Sequence, residues 1–211
     1  MEVRAESSSQ LRRLEASTGW EDNRPHIVLI SGKAGVGKST FASTLSKIVR
    51  EHEDANKQII MRQPIAWGVK RTAMGMGWDR EKDVKGRRLL QGVGRIGREY
   101  DPNMWVKIAD QAICDTQYFY GSLEARLAYV WIDDWRFKNE IKWFLAKDYQ
   151  FRIHTVRITA PNREILKGTP EALDISEVDL DDFTEYDFVI DNRGSLDELW
   201  ASANSIYKHI Q

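Results

Sequence analysis

Residues 32–39 read GKAGVGKS and follow directly on the apolar run His26-Ile27-Val28-Leu29-Ile30. A short continuous apolar run ending at a glycine cluster is the pattern of a strand buried on both faces. After the glycines, Phe41, Leu45, Ile48 and Val49 recur at helical spacing, so strand, loop and helix come in that order. The loop matches G-x-x-x-x-G-K-[ST]. Gly32, Gly35 and Gly37 let the backbone curl until successive N–H groups converge on an anion. The positive end of the helix opening near Lys38 reinforces that site. Lys38, expected to be exposed in the ligand-free loop, can reach β- and γ-phosphates, and the Ser39 hydroxyl is a ligand for Mg²⁺. The expected ATP contacts are Gly32, Ala34, Gly35, Val36, Gly37, Lys38, Ser39 and Thr40. The motif specifies a triphosphate with Mg²⁺ but leaves the reaction open.

Strand and helix patterns continue to alternate downstream. Gln58 to Met61 reads as a second strand, and Asp101-Pro102 reads as the cap and first turn of a helix carrying Trp105, Ile108, Ala109, Ala112 and Ile113. Ala128-Tyr129-Val130-Trp131-Ile132 is a strand running into Asp133 and Asp134, and Phe137, Ile141, Phe144 and Leu145 mark a helix after it. Phe151 to Ile158 and Phe188-Val189-Ile190 are the last two strands; Ser195 with Glu198 is a capping box opening the final helix. The pattern predicts an α/β three-layer sandwich: a five-stranded parallel sheet covered on both faces, with a helical acceptor-binding insertion and a lid.

The 211 residues suit one domain, and 42% hydrophobic content supplies a core. Lys and Arg, 31 in all, balance 32 Asp and Glu, so no global charge draws in nucleic acid or an anionic membrane. Phosphate recognition must therefore be local. Cys114 stands alone, no apolar run is long enough to span a membrane, and no secretory signal opens the chain, which points to the cytoplasm. Residues 1–24 read as a polar tail, or as a contact in a homodimer, and residues 25–211 as the domain.

Two regions complete a candidate site. A carboxylate at the end of a strand neighbouring the P-loop holds the metal in such proteins, and Asp133 and Asp134 are the candidates. Residues 80–98 hold seven basic side chains against two acidic ones. Among them Arg95 and Arg98 follow Gly92, Gly94 and Gly97, where tight backbone folding would let guanidinium groups close on a phosphate bidentately. A phosphate monoester is largely dianionic at neutral pH and needs cationic clamps, whereas a hydroxyl acceptor needs a base, a role open to Asp134. Arg157 and Arg163 lie in RITAPNREILKG, where a flap could carry an arginine over the transferring phosphoryl group. The seven carboxylates between Glu177 and Asp191 read as a solvated acidic loop.

Several segments together resemble the bacteriophage-type deoxynucleoside monophosphate kinases. RRLLQGVGRIGREYDPNMW is similar to that family's Leu-Gln, Gly, Arg and Trp pattern before a helix. WIDDWRFKNE resembles its D-x-R-F-x-N-E, with Asp134 on the family's aspartate, and FVIDNRGSLDEL resembles its final strand and loop. Asp133 stands where the family often has a small residue. The resemblance spans roughly residues 26 to 208. It implies a nucleoside-monophosphate-kinase-like fold, ATP, Mg²⁺ and a deoxynucleotide acceptor. Lys38, Asp134, Arg98 and Arg163 would then be catalytic, and Asp134 with Ser39 and Asp133 would serve the metal. Arg88, Gln91, Arg95, Arg98, Trp105 and Arg136 would meet the acceptor, and Asn192 and Gly194 would lie near adenine. VIDNRGSLDEL also resembles dephospho-coenzyme A kinases, whose acceptor is a hydroxyl. A nucleotide-sensing P-loop regulator would need no acceptor pocket at all.

Overall fold

The computed structural model describes residues 22–53 and 57–211. The tail reading falls on residues 1–21, outside the described residues. Its boundary at residue 24 sits inside a docked segment, because Asp22 pairs with Arg24 and Arg152, and the Arg152 N–H donates to the Pro25 carbonyl at 2.9 Å.

Five parallel strands form one sheet in the order β2-β3-β1-β4-β5, namely β1 (His26–Ser31), β2 (Gln58–Arg62), β3 (Arg126–Trp135), β4 (Arg152–Thr159) and β5 (Phe188–Asp191). This is the predicted α/β sheet. In the register of β1 with β3, Ile27 faces Val130 and Leu29 faces Ile132. Side chains alternate across the sheet and feed two cores. On one face Val28, Ile30 and Trp131 pack against helices α1 (Lys38–His52) and α7 (Leu196–Ile210). On the other Ile27, Leu29, Val130 and Ile132 meet α2 (Trp67–Gly75), α4 (Met104–Gly121) and α5 (Lys138–Leu145). Burial on both faces is why β1 reads as a continuous apolar run rather than an alternating one.

The insertion between β2 and β3 includes α3 (Val84–Tyr100), capped by Asp83, whose Oδ1 accepts from the Gly86 N–H at 2.7 Å. Gly92, Gly94 and Gly97 lie inside this helix, so they do not make the tight turn expected from their spacing. Gly97 opens a close approach instead. A Cβ at Gly97 would meet the Trp105 ring at 2.3 Å, and Trp105 Nε1 donates to the Gly94 carbonyl at 2.9 Å. Asp101 caps a turn rather than the helix itself: its Oδ1 accepts from Asn103 N at 2.9 Å, and α4 begins at Met104. Between β4 and β5 a lid carries a 3₁₀ turn (Pro170–Leu173) and the short α6 (Ile175–Val178).

Gly97→Ala is expected to lower unfolding stability by about 1–3 kcal/mol through overpacking against Trp105. Gly92, beside which a Cβ meets nothing within 4 Å, should gain up to ~1 kcal/mol as Ala from helix propensity. Urea unfolding of the two variants checks this; equal shifts would contradict the packing of α3 on α4.

Candidate active site

The P-loop connects β1 to α1. Gly35 and Gly37 hold φ of 92° and 98°, a left-handed conformation that side chains resist, and a Cβ at Gly35 would sit 2.4 Å from the Arg163 carbonyl oxygen of the lid. Val36 is fully buried in the core, and Asn192, itself buried, donates from Nδ2 to the Val36 carbonyl at 2.8 Å. Asn192 thus braces the loop from beneath. Lys38 was expected to be exposed but is only 9% so. Its Nζ folds back onto the Gly32 and Lys33 carbonyls at 2.7 and 2.8 Å. These carbonyls satisfy an ammonium that burial has taken out of water. Burial, with Arg136 nearby, draws its pKa down to about 7. Ser39 and Thr40 are exposed at the helix start.

Asp133 and Asp134 end β3 on opposite faces, as adjacent strand residues must. The family pattern puts the metal role on Asp134, yet the carboxylate against the P-loop is Asp133. The Ser39 hydroxyl donates to its Oδ2 at 2.7 Å, and Arg62, the last residue of β2, donates from Nε to its Oδ1 at 3.0 Å and from Nη2 to its Oδ2. Burial opposes ionisation of Asp133, but the hydrogen bonds from Arg62 and Ser39 outweigh it and hold the pKa below the usual carboxylate range. Asp134 points the other way and accepts the N–H groups of Ile65 and Ala66 at 2.8 and 3.0 Å. Burial and then the Asp133 charge push its pKa up.

Asp134 faces a cavity of about 240 Å³ bounded by α2, α3, α4, the start of α5 and the lid. The helical period decides which arginines reach it. Arg87, Gln91, Gly94 and Arg98 form one stripe along α3 and line the cavity, together with Trp105 and Arg136. Arg88 and Arg95 fall off that stripe. Both are exposed on the outer face, where Arg95 lies 3.9 Å from Glu99. Arg98 lies over the Phe137 ring at 4.2 Å. Lys70 and Lys82 add two further cations.

Glu140 is a buried wall of the same cavity. Its Oε2 accepts the N–H groups of Arg136 and Phe137 at 2.9 and 3.0 Å, which closes the first turn of α5. Desolvation dominates these bonds and raises its pKa to about 8.

The lid is drawn over the P-loop. Ile165 N donates to the Ala34 carbonyl at 3.1 Å, and the Ala34 N–H donates to Glu177 Oε2 at 3.2 Å. Glu177 Oε1 accepts from Arg136. The acidic stretch is therefore not a solvated loop throughout: Asp181 pairs with Lys33 at 2.5 Å, and Asp182 with Lys138 at 2.6 Å. Arg163 reaches sideways to the Gly194 carbonyl at 2.8 Å, and Arg157 lies 3.7 Å from Asp181. Among the described residues, neither guanidinium is hydrogen-bonded to the P-loop.

Arg62, Lys70, Lys82, Arg87, Glu140 and Glu177 are site residues that the sequence reading did not single out. Arg62 carried a usable signal, since it ends a strand of a parallel sheet, the edge at which such folds bind ligands.

No protein-family model matches the chain, and no curated protein matches its sequence. Solved structures do. A putative kinase from Chloroflexus aurantiacus J-10-fl overlays with a TM-score of 0.50 at 14% identity, covering 90% of this chain and 98% of that one. The shikimate kinase of Aquifex aeolicus VF5 overlays at 0.43 with 13% identity, covering 87% and 96%. The Mycobacterium tuberculosis APS kinase, solved with AMPPNP and APS, overlays at 0.41 with 12% identity, covering 88% and 98%. The α/β fold with its five-stranded parallel sheet is thus shared with the first of these.

The raised pKa of Glu140 fixes the sign of a pH effect. A carboxyl protonated in the folded state up to about pH 8 but ionised in the unfolded state above about 4.5 lowers stability as pH rises between them. Glu140→Gln keeps the accepting oxygen and removes the titration. Its stability relative to the parent should therefore climb from pH 4.5 to 8, with a slope approaching ~1.4 kcal/mol per pH unit. A pH-independent difference in urea unfolding would give Glu140 an ordinary pKa.

Proposed function

We propose that this chain is a P-loop kinase that transfers the γ-phosphate of ATP to a deoxynucleoside monophosphate. The observation that carries the reading is the cationic cavity beside the P-loop, to which Lys70, Lys82, Arg87, Arg98 and Arg136 all contribute. A dianionic phosphate acceptor must approach another anion, and a cluster of cations offsets that repulsion. Trp105 and Phe137 supply ring surface in the same cavity, suited to a nucleobase. The deoxyribose preference rests on the family resemblance of RRLLQGVGRIGREYDPNMW and WIDDWRFKNE.

The residues present fit the two groups the fold implies. The curled glycine backbone and Lys38 suit the phosphates of ATP. The Ser39 hydroxyl and Asp133 carboxylate are the hard oxygen donors that Mg²⁺ takes. When bound, Mg²⁺ would neutralise charge on the β- and γ-phosphates. In this reading Asp133 rather than Asp134 serves that ion, and Arg62 must leave Asp133 to admit it. Asp134 orients the Ile65–Ala66 turn that forms the cavity wall. Arg98 grips the acceptor phosphate, and Arg136 stands where cavity and P-loop meet. A hydroxyl acceptor would need Asp134 as base, but both its oxygens already accept backbone N–H groups.

An ADP-release panel with each deoxy- and ribonucleoside monophosphate, dephospho-coenzyme A and no acceptor tests the reading. ADP should form only with a deoxynucleoside monophosphate. Arg98→Ala should then raise the KM for that acceptor and leave the KM for ATP unchanged. The loss of a charged hydrogen bond, about 1.5–3 kcal/mol, corresponds to tenfold or more in kcat/KM. Release with dephospho-coenzyme A alone, or without any acceptor, contradicts the proposal.

A further inference from the structure

Glu177 is an acidic side chain inside an anion site. Its carboxylate is 8% exposed. One oxygen accepts from the Ala34 N–H of the P-loop, and the other accepts from the Arg136 guanidinium. An incoming phosphate oxygen needs these same two donors. Lys33 Nζ, also in the loop, donates to the Glu177 carbonyl at 2.6 Å. The rest of the segment is held by opposite charges on the core: Asp181 by Lys33 and Arg157, Asp179 by the Lys138 N–H at 2.8 Å, and Asp182 by the Lys138 ammonium. Glu177 also borders the acceptor cavity, so its carboxylate stands between that cavity and the P-loop.

We propose that Glu177 is a built-in competitor for phosphate, a carboxylate that holds the Ala34 N–H of the P-loop and Arg136 and leaves when phosphate enters. This rests on the P-loop binding phosphates, as the kinase reading requires. A carboxylate and a phosphate oxygen are both anionic acceptors, so the two exclude each other from the Ala34 N–H and from Arg136. Phosphate binding then includes displacement of Glu177 and opening of α6. The apparent affinity is reduced by the fraction of molecules in which the site is already open. The device keeps Lys38 and Arg136 from facing each other uncompensated, since among the neighbouring acids Glu177 favours the Lys38 ammonium most strongly.

Calorimetric titration with inorganic tripolyphosphate tests this without reference to any acceptor. Glu177→Gln and Glu177→Ala should bind it about tenfold more tightly than the parent, the scale of one charged contact. Asp182→Asn removes the same charge from the exposed end of the segment and should stay within about twofold of the parent. In the parent, backbone amides 175–178 should exchange with solvent faster once tripolyphosphate is bound. Equal or weaker binding by both Glu177 variants overturns the competitor and leaves the kinase reading standing. A gain in Asp182→Asn as large as in Glu177→Gln overturns it too, by reducing the effect to general charge. Failure of every protein to bind tripolyphosphate overturns the kinase reading and the competitor together.

Discussion

Parallel pairing of β1 with β3 sets the loop that ends one strand beside the carboxylates that end the other, and the charged half of the molecule is arranged around that junction. Below it the sheet is apolar on both faces. At the carboxyl edge the backbone turns away, and N–H groups, carboxylates and guanidinium groups accumulate where no ladder satisfies them. They satisfy one another within the chain, with Arg62 on Asp133 and Glu177 on Arg136. In the proposed function a magnesium–nucleotide complex would take the place of both contacts.

The cavity is built on a different principle, the periodicity of α3. A helix presents one stripe to its neighbours, and on this one the stripe carries Arg87, Gln91 and Arg98, with Gly97 beside it admitting Trp105. Gly97 costs helix propensity and allows α4 to come close. Close packing there fixes the indole and, through its bond to the Gly94 carbonyl, the wall of the cavity. Asp134 and Glu140 complete the wall by binding backbone N–H groups of the turns that flank it.

Much of this was legible in the residues. The P-loop, the five strands and the α/β class followed from apolar runs, glycines and helical spacing, because each depends on local sequence. Gln91, Arg98, Trp105 and Arg136, named from the sequence as acceptor contacts, all line the cavity. Arg95 stands out in the sequence for the glycines around it and Arg88 for the basic stretch it belongs to; only the helical phase of α3 separates them from Arg87 and Arg98. Lys38 was read as exposed because the folded-back conformation depends on carbonyls of its own loop. Glu177 could not be read at all, since its partner Ala34 lies 143 residues away and an acidic stretch usually faces solvent. That Asp133 rather than Asp134 stands against the P-loop depends on β2 and α1, which no spacing within β3 reveals.

The claim that joins these parts is that the γ-phosphate leaves the P-loop for a second phosphate held in the arginine cavity. Following the phosphorus nuclei of ATP, Mg²⁺ and a deoxynucleoside monophosphate by ³¹P NMR, with the protein added last, tests it directly. The account predicts that the monophosphate resonance declines while the paired resonances of a deoxynucleoside diphosphate grow with those of ADP, with no inorganic phosphate formed. Inorganic phosphate appearing at the same rate with and without the monophosphate would contradict it.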